Sequence, residues 1–199
     1  MNKTVEFYFD VGSPAAYLAS RRLPAICAAA GATLAWRPML LGGVFQATGN
    51  QSPMMVPAKG RYVLADLQRF ARRHAIPFAP NPHFPINTLT LMRIAAGLQL
   101  REPQRFAPYV ESVYPAIWVD GRDMNDTAVV AAVLGESGLD AQALLALAAD
   151  PEVKERLKTA TQEAVGRGVF GAPTFFVGSE MYWGQDRLDF VKEALEATA

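Results

Sequence analysis

The chain has little cysteine: among 199 residues only Cys27 carries a thiol. One thiol excludes an intramolecular disulfide and a cysteine zinc cluster. Set in Ala25-Ile26-Cys27-Ala28-Ala29, it reads as a small buried hydrophobe rather than a reactive group. Histidine is scarce too. His74 and His83 have no metal-ligand company along the chain, so both read as surface or loop residues and no metal is expected. Charge of neither sign is in excess: 19 Lys plus Arg balance 19 Asp plus Glu. That balance argues against a general nucleic-acid surface and against a polybasic membrane anchor. Arg69, Arg72, Arg73 and His74 cluster, but their helical spacing makes them a solvated face. No apolar run approaches the length of a spanning helix, and the first one contains Glu6 and Asp10, as a strand would and a signal peptide would not. A soluble chain in a reducing cytoplasm is the expectation. Internal repeats and low-complexity segments are missing as well.

What is present is a core: 51% of the residues are apolar, enough for one domain, or one domain with a large insertion. Val5-Glu6-Phe7-Tyr8-Phe9 reads as a buried strand, broken by Asp10 and Gly12. Ser13 and Pro14 then open a helix through about Ala29, with Gly31 as its C-cap. Thr33 to Arg37 reads as a second strand closed by Pro38, so the opening is a strand–helix–strand unit, parallel and joined by a crossover.

The middle changes character. Leu40 to Ala47 is a short apolar segment, and residues 49–53 form a loop. Helical periodicity runs over Ala58 to Ala75, Asn87 to Leu100, Gln104 to Val119, Thr127 to Glu136 and Ala141 to Ala148, with Pro108 and Pro115 expected to break or bend the third of these. Asp150-Pro151-Glu152 begins another helix with a capping acid and a first-turn proline. Thr174 to Val177 and Met181 to Trp183 are strands about a Gly178-Ser179 turn, and Asp186 is placed to cap a last helix carrying Leu188, Val191 and Leu195 on one side. The order is β-α-β, a helical middle, then α-β-β-α. The fold class expected is α/β, a thioredoxin-like fold with a large all-helical insertion. Residues 1–60 and 151–199 supply the two parts of the thioredoxin-like domain, and 61–150 the helical insertion domain.

Two stretches bear on chemistry. Ser13 stands where a strand hands over to a helix, beside unpaired backbone N–H groups and the positive end of the dipole, a place suited to an anion such as a thiolate. Read blandly, it is a common N-cap. Val169-Phe170-Gly171-Ala172-Pro173-Thr174 sets a proline just before a strand: either a strand starter, or a cis proline presenting a backbone edge to Ser13.

Together with Thr48-Gly49-Asn50 and Trp183-Gly184-Gln185-Asp186-Arg187-Leu188, these stretches resemble, over essentially the whole chain, the DsbA-like branch of the thioredoxin superfamily. Within it the chain is similar to the 2-hydroxychromene-2-carboxylate isomerases and kappa-class glutathione transferases. The family commonly has an aromatic after Ser-Pro; Ala15 and Ala16 stand here, leaving more room beside Ser13. A disulfide oxidoreductase needs two cysteines around this helix start, and Ser13 and Ala16 occupy those places. Any reacting thiol therefore arrives with a ligand, which the resemblance names as glutathione.

The resemblance implies a cofactor site of Ser13, Asn50, Ala172, Pro173, Trp183, Gly184, Gln185 and Asp186. In it Ser13 is the catalytic residue, donating a hydrogen bond to the glutathione sulfur. On its surroundings alone Asn50 reads first as a turn residue, and Asp186 reads as a plain cap as readily as a ligand contact. Lys59, Arg61 and Asn87 are candidates for holding the carboxylate of a small electrophilic substrate, though each also suits a surface or turn position. The implied activity is glutathione-dependent cis–trans isomerisation by reversible thiolate addition and bond rotation. A transferase or peroxidase of the kappa class, and a glutathione-binding module without catalysis, are the alternatives. A homodimer is expected on the same ground.

Overall fold

The computed structural model describes residues 3–197. Strand β1 (Thr4–Phe9) leads into helix α1 (Pro14–Ala29), which leads into strand β2 (Thr33–Pro38). Helix α1 stops as the sequence dictates: Gly31 N–H donates to Ala28 O and Ala32 N–H to Cys27 O, closing two of its last carbonyls. Helix α2 (Leu41–Thr48), a 3-10 turn (Pro53–Met55) and helix α3 (Pro57–Arg73) follow. The helical middle continues with α4 (Leu89–Arg101), α5 (Pro103–Trp118), α6 (Thr127–Glu136) and α7 (Ala141–Ala149). Helix α8 (Pro151–Gly166), strands β3 (Thr174–Val177) and β4 (Glu180–Trp183), a 3-10 turn (Gln185–Arg187) and helix α9 (Leu188–Glu196) complete the chain.

The sheet order is β2-β1-β3-β4, with β1 parallel to β2 and the other neighbours antiparallel. Alternation along β1 sorts the core. Val5, Phe7 and Phe9 are fully buried on one face with residues of α1 and α9, Phe7 stacking on Phe175 at 5.3 Å. Tyr8 faces the other way, into a cluster with Val44 of α2, Ala164 of α8 and Phe176 of β3. The sheet is thus covered on both sides, a thioredoxin-like β-α-β core carrying a large helical insertion. Each buried phenylalanine on β1 contributes roughly 1.5–3 kcal/mol by leaving water. No helix among the described residues is long and apolar enough to cross a membrane.

Some local expectations change. The apolar segment after β2 is helical, as α2. Pro108 and Pro115 lie inside α5 without ending it. Each deletes one backbone hydrogen bond, but Tyr109, Val110, Val113, Tyr114, Ile117 and Trp118 bury one continuous stripe, and that burial outweighs the loss. Asp186 does not cap the last helix: it sits inside the 3-10 turn, 3.4 Å from Arg187, and Arg187 enters α9 without a side-chain cap.

Candidate functional site

Between the end of β1 and the start of α1, the chain is held by one carboxylate. Asp10 is 1% exposed. Its Oδ1 accepts from Gly12 N–H at 2.9 Å, and its Oδ2 from Leu41 N–H at 2.8 Å and Thr88 Oγ1 at 3.0 Å. Three segments that are far apart in sequence therefore meet on it. Burial pushes the Asp10 carboxyl above the usual aspartate range, and the three donors only partly oppose that shift. Ser13 N–H donates to Asp10 O at 3.0 Å, and Trp118 Nε1 to Val11 O at 2.8 Å, so the insertion helps to fix this turn.

Ser13, 5% exposed, caps α1: its Oγ accepts from Ala16 N–H at 3.2 Å. The same hydroxyl donates to Ala172 O at 3.0 Å, across 159 residues of chain. The Ala172–Pro173 peptide is cis, and the Ala172 carbonyl faces Ser13. Beside it, Asn50 Nδ2 donates to Phe170 O at 2.8 Å, and Gly184 N–H to Pro173 O at 3.0 Å. Trp183, 48% exposed, lies against Phe170 with ring centroids 5.0 Å apart. Gly171 permits this approach, since a Cβ there would stand 2.7 Å from Trp183 Nε1. The N–H groups of Ala15 and Ala172 have no hydrogen-bond partner among the described residues. The rim thus offers free backbone donors, one of them at a helix start, together with the Ser13 hydroxyl.

The structure brings Ser13, Asn50, Ala172, Pro173, Trp183 and Gly184 together. Gln185 follows them but is buried; its Oε1 has no partner, and its backbone oxygen accepts from Arg22 Nη1 at 3.2 Å. Asp186 is exposed beside Arg187. Lys59 and Arg61 are exposed on α3, two residues apart and so on different sides of it; neither makes a hydrogen bond or ion pair with the Ser13 rim. Asn87 is exposed, and its side-chain oxygen accepts from Leu89 N–H at 3.2 Å at the mouth of α4. Of the two alanines after Ser-Pro, Ala16 is fully buried, so any room beside Ser13 lies at Ala15.

Sequence reasoning passed over Asp10 and Thr88, and over Phe170 as a partner of Asn50. A carboxylate inside an otherwise apolar strand end was the available sign for Asp10. Cys27 is 2% exposed, and burial pushes its thiol up to about 11, far from ionisation at neutral pH. Among the described residues no three His, Cys, Asp or Glu side chains are grouped as a metal site would need.

A serine-capped helix start faces a proline turn, with no cysteine in either position. The family description that matches residues 4–196 is the DSBA-like thioredoxin domain. The chain belongs to that family. Within it the homology is to 2-hydroxychromene-2-carboxylate isomerases and kappa-class glutathione transferases. It is 34% identical to the 2-hydroxychromene-2-carboxylate isomerase of Sphingobium xenophagum, over 98% of this chain and 99% of that one. It is 28% identical to human glutathione S-transferase kappa 1, over 97% and 91% of the two chains. A solved 2-hydroxychromene-2-carboxylate isomerase superposes with a TM-score of 0.84 at 33% identity, covering 97% of this member of the family and 94% of the solved chain.

Proposed function

We propose that the protein is a glutathione-dependent isomerase of the 2-hydroxychromene-2-carboxylate type. The observation that carries this reading is the Ser13 Oγ–Ala172 O contact of 3.0 Å, beside unpartnered N–H groups, in a chain so like those isomerases over its whole length. The residues present fit glutathione: the Ala172 edge, with its N–H free, suits the backbone of a cysteinyl residue, and Ser13 with Ala15 N–H suits its sulfur.

Bound glutathione supplies the sulfur for reversible conjugate addition, which turns a double bond into a rotatable single bond. The chain's own part is an exchange of partners. The Ser13 hydroxyl has one proton, and it is directed at Ala172 O. A peptide N–H arriving at Ala172 O takes over that acceptor and frees the hydroxyl to donate to the thiolate. The start of α1 favours the same charge. Ser13 keeps its proton throughout. Asn50, Gln185 and Asp186 hold the ends of the tripeptide, Trp183 and Gly184 form its wall, and Pro173 keeps the Ala172 edge in place. Lys59 and Arg61, on different sides of α3, and the amide nitrogen of Asn87, whose oxygen alone is taken by Leu89 N–H, are the candidate donors for the substrate carboxylate.

The test is conversion of 2-hydroxychromene-2-carboxylate with and without glutathione. Turnover at constant reduced glutathione supports the isomerase; no conversion in either condition removes this substrate. Accumulation of a conjugate or of oxidised glutathione instead gives the kappa-class reading, which the 28% identity to human glutathione S-transferase kappa 1 also supports. Tight glutathione binding without turnover of any electrophile gives the binding module. A thiol cofactor suits a reducing cytoplasm. Exposed Met55, Val56 and Tyr62 on one stretch support a homodimer, which light scattering would reject by finding a monomer across working concentrations.

A further inference from the structure

A groove of about 610 Å³ lies between α2, the start of α4 and α8, and none of its lining residues belongs to the Ser13 rim. Each helix lends it a pair four residues apart: Gly43 and Ala47 from α2, Leu89 and Arg93 from α4, Lys154 and Lys158 from α8. On the α2 side Ala47 lends it only a methyl, and Gly43 lets α2 and α8 pack closely. A Cβ on Gly43 would stand 3.3 Å from Thr161 Cγ2, so α2 and α8 cross there in contact. Thr161 Oγ1 locks the crossing, accepting from Leu40 N–H at 2.9 Å and donating to Leu157 O at 2.8 Å. Leu157 and Val165 make an apolar floor.

The charges on the rim do not cancel. Three cations, Arg93, Lys154 and Lys158, face one carboxylate, Glu155, which is 3.1 Å from Lys158. Arg93 is half-buried and has neither a hydrogen bond nor an ion pair with any described residue. In the smaller cleft of about 340 Å³ beside β1, Glu6 engages both Arg37 and Arg167 at 2.8 Å, and the third arginine, Arg156, is exposed rather than half-buried. A partly desolvated guanidinium without a counter-charge is stabilised by an anion, and its planar fork suits a carboxylate.

We propose that this groove binds an apolar monocarboxylate, its hydrocarbon body on Leu89, Leu157 and Val165 and its carboxylate against Arg93 and the lysines of α8. The site is separate from the Ser13 rim and needs no glutathione.

The test is calorimetry on the full chain without glutathione. Naphthalene-2-carboxylate and octanoate serve as planar and flexible probes, and 2-naphthamide as the neutral control. One saturable site is expected for at least one carboxylate, with the amide about tenfold weaker than naphthalene-2-carboxylate, as the loss of a charge-assisted contact implies. The preferred probe tells whether a planar or a flexible body belongs there. Arg93→Gln should weaken the carboxylate about tenfold and leave the amide unchanged. Lys158→Gln should do the same more weakly. Ala47→Trp, at an exposed helix position, should abolish binding of both with an unchanged circular dichroism spectrum. Ser13→Ala should bind as the parent does. Absence of saturable carboxylate binding, persistence of it in Ala47→Trp, or its loss in Ser13→Ala would each overturn the proposal. Because no turnover is measured, the result is independent of the isomerase reading.

Discussion

The Ser13 rim and the α2–α4–α8 groove are built from different materials. The rim is mostly main chain: the oxygens of Phe170, Ala172 and Pro173 accept, and the N–H groups of Ala15 and Ala172 stand ready to donate. Side chains enter it chiefly through Ser13, Asn50 and Trp183. The groove is the reverse, a space lined by side chains and edged by long cations. A site made of backbone depends on the fold that holds its segments in register and tolerates many side-chain changes. A site made of side chains is remodelled by single substitutions. Asp10 joins the two, since its oxygens hold Gly12 of the rim, Leu41 at the head of α2 and Thr88 just before α4.

Breaking that joint should have the largest effect. Asp10→Asn places an amide NH2 where donors converge, leaving at least one buried donor without an acceptor. A loss of about 3 kcal/mol is expected, read as a lower urea midpoint, with both sites impaired together. The pH dependence carries a sign. Burial raises the Asp10 pKa in the folded state, so its contribution to stability is full below the unfolded value and is lost as pH rises through the folded one. Glu6 runs oppositely. Burial pushes its carboxyl up, but Arg167 and Arg37 outweigh that and leave it lowered. Its contribution is present above the unfolded value and is lost as pH falls through the folded one. Stability measured across the acid range should show Asp10→Asn losing the component that favours low pH, and Glu6→Gln losing the component that favours neutral pH.

Ser13→Ala sharpens the comparison by removing a side chain from the backbone-built site. The cap loss should cost about 1 kcal/mol, and glutathione should still bind through the other contacts. Without the hydroxyl the thiol pKa should rise by roughly one to two units, so turnover at neutral pH falls about ten- to a hundredfold and partly recovers at higher pH. A pH–rate profile at saturating glutathione reads this, and an unchanged profile would leave Ser13 as a cap alone. Ser13→Cys should not become a dithiol oxidase, because Ala16 supplies no second sulfur.

Gly171→Ala tests the wall. The new methyl meets the Trp183 indole nitrogen, so the ring must move. A cost of about 1–2 kcal/mol, a shifted tryptophan emission and a raised KM for glutathione are expected, with kcat less affected. The smallest effect belongs to Cys27. Buried and held near 11, it should not react with Ellman's reagent in the folded protein at pH 8, but should react once unfolded. Cys27→Ala should turn over like the parent, and a slowed variant would give that thiol a role that its surroundings do not suggest.

The sequence by itself determined the features that local chemistry sets. The buried strand β1, Ser13-Pro14 at the head of α1, the Gly31 stop, Asp150-Pro151 at the head of α8 and the missing second cysteine each depend on a few neighbouring residues, and each stands in the structure as read. Only the tertiary structure decided where distant backbone groups meet. Asn50 finds Phe170 O across 120 residues, and Ser13 finds Ala172 O across 159. Pro108 and Pro115 stay helical because α5 buries one face along its length, and Asp186 leaves the capping position because the chain enters α9 through a 3-10 turn. Partners of this kind are chosen by packing, whose energy sums over contacts far apart in the chain, and no short stretch of residues encodes that sum.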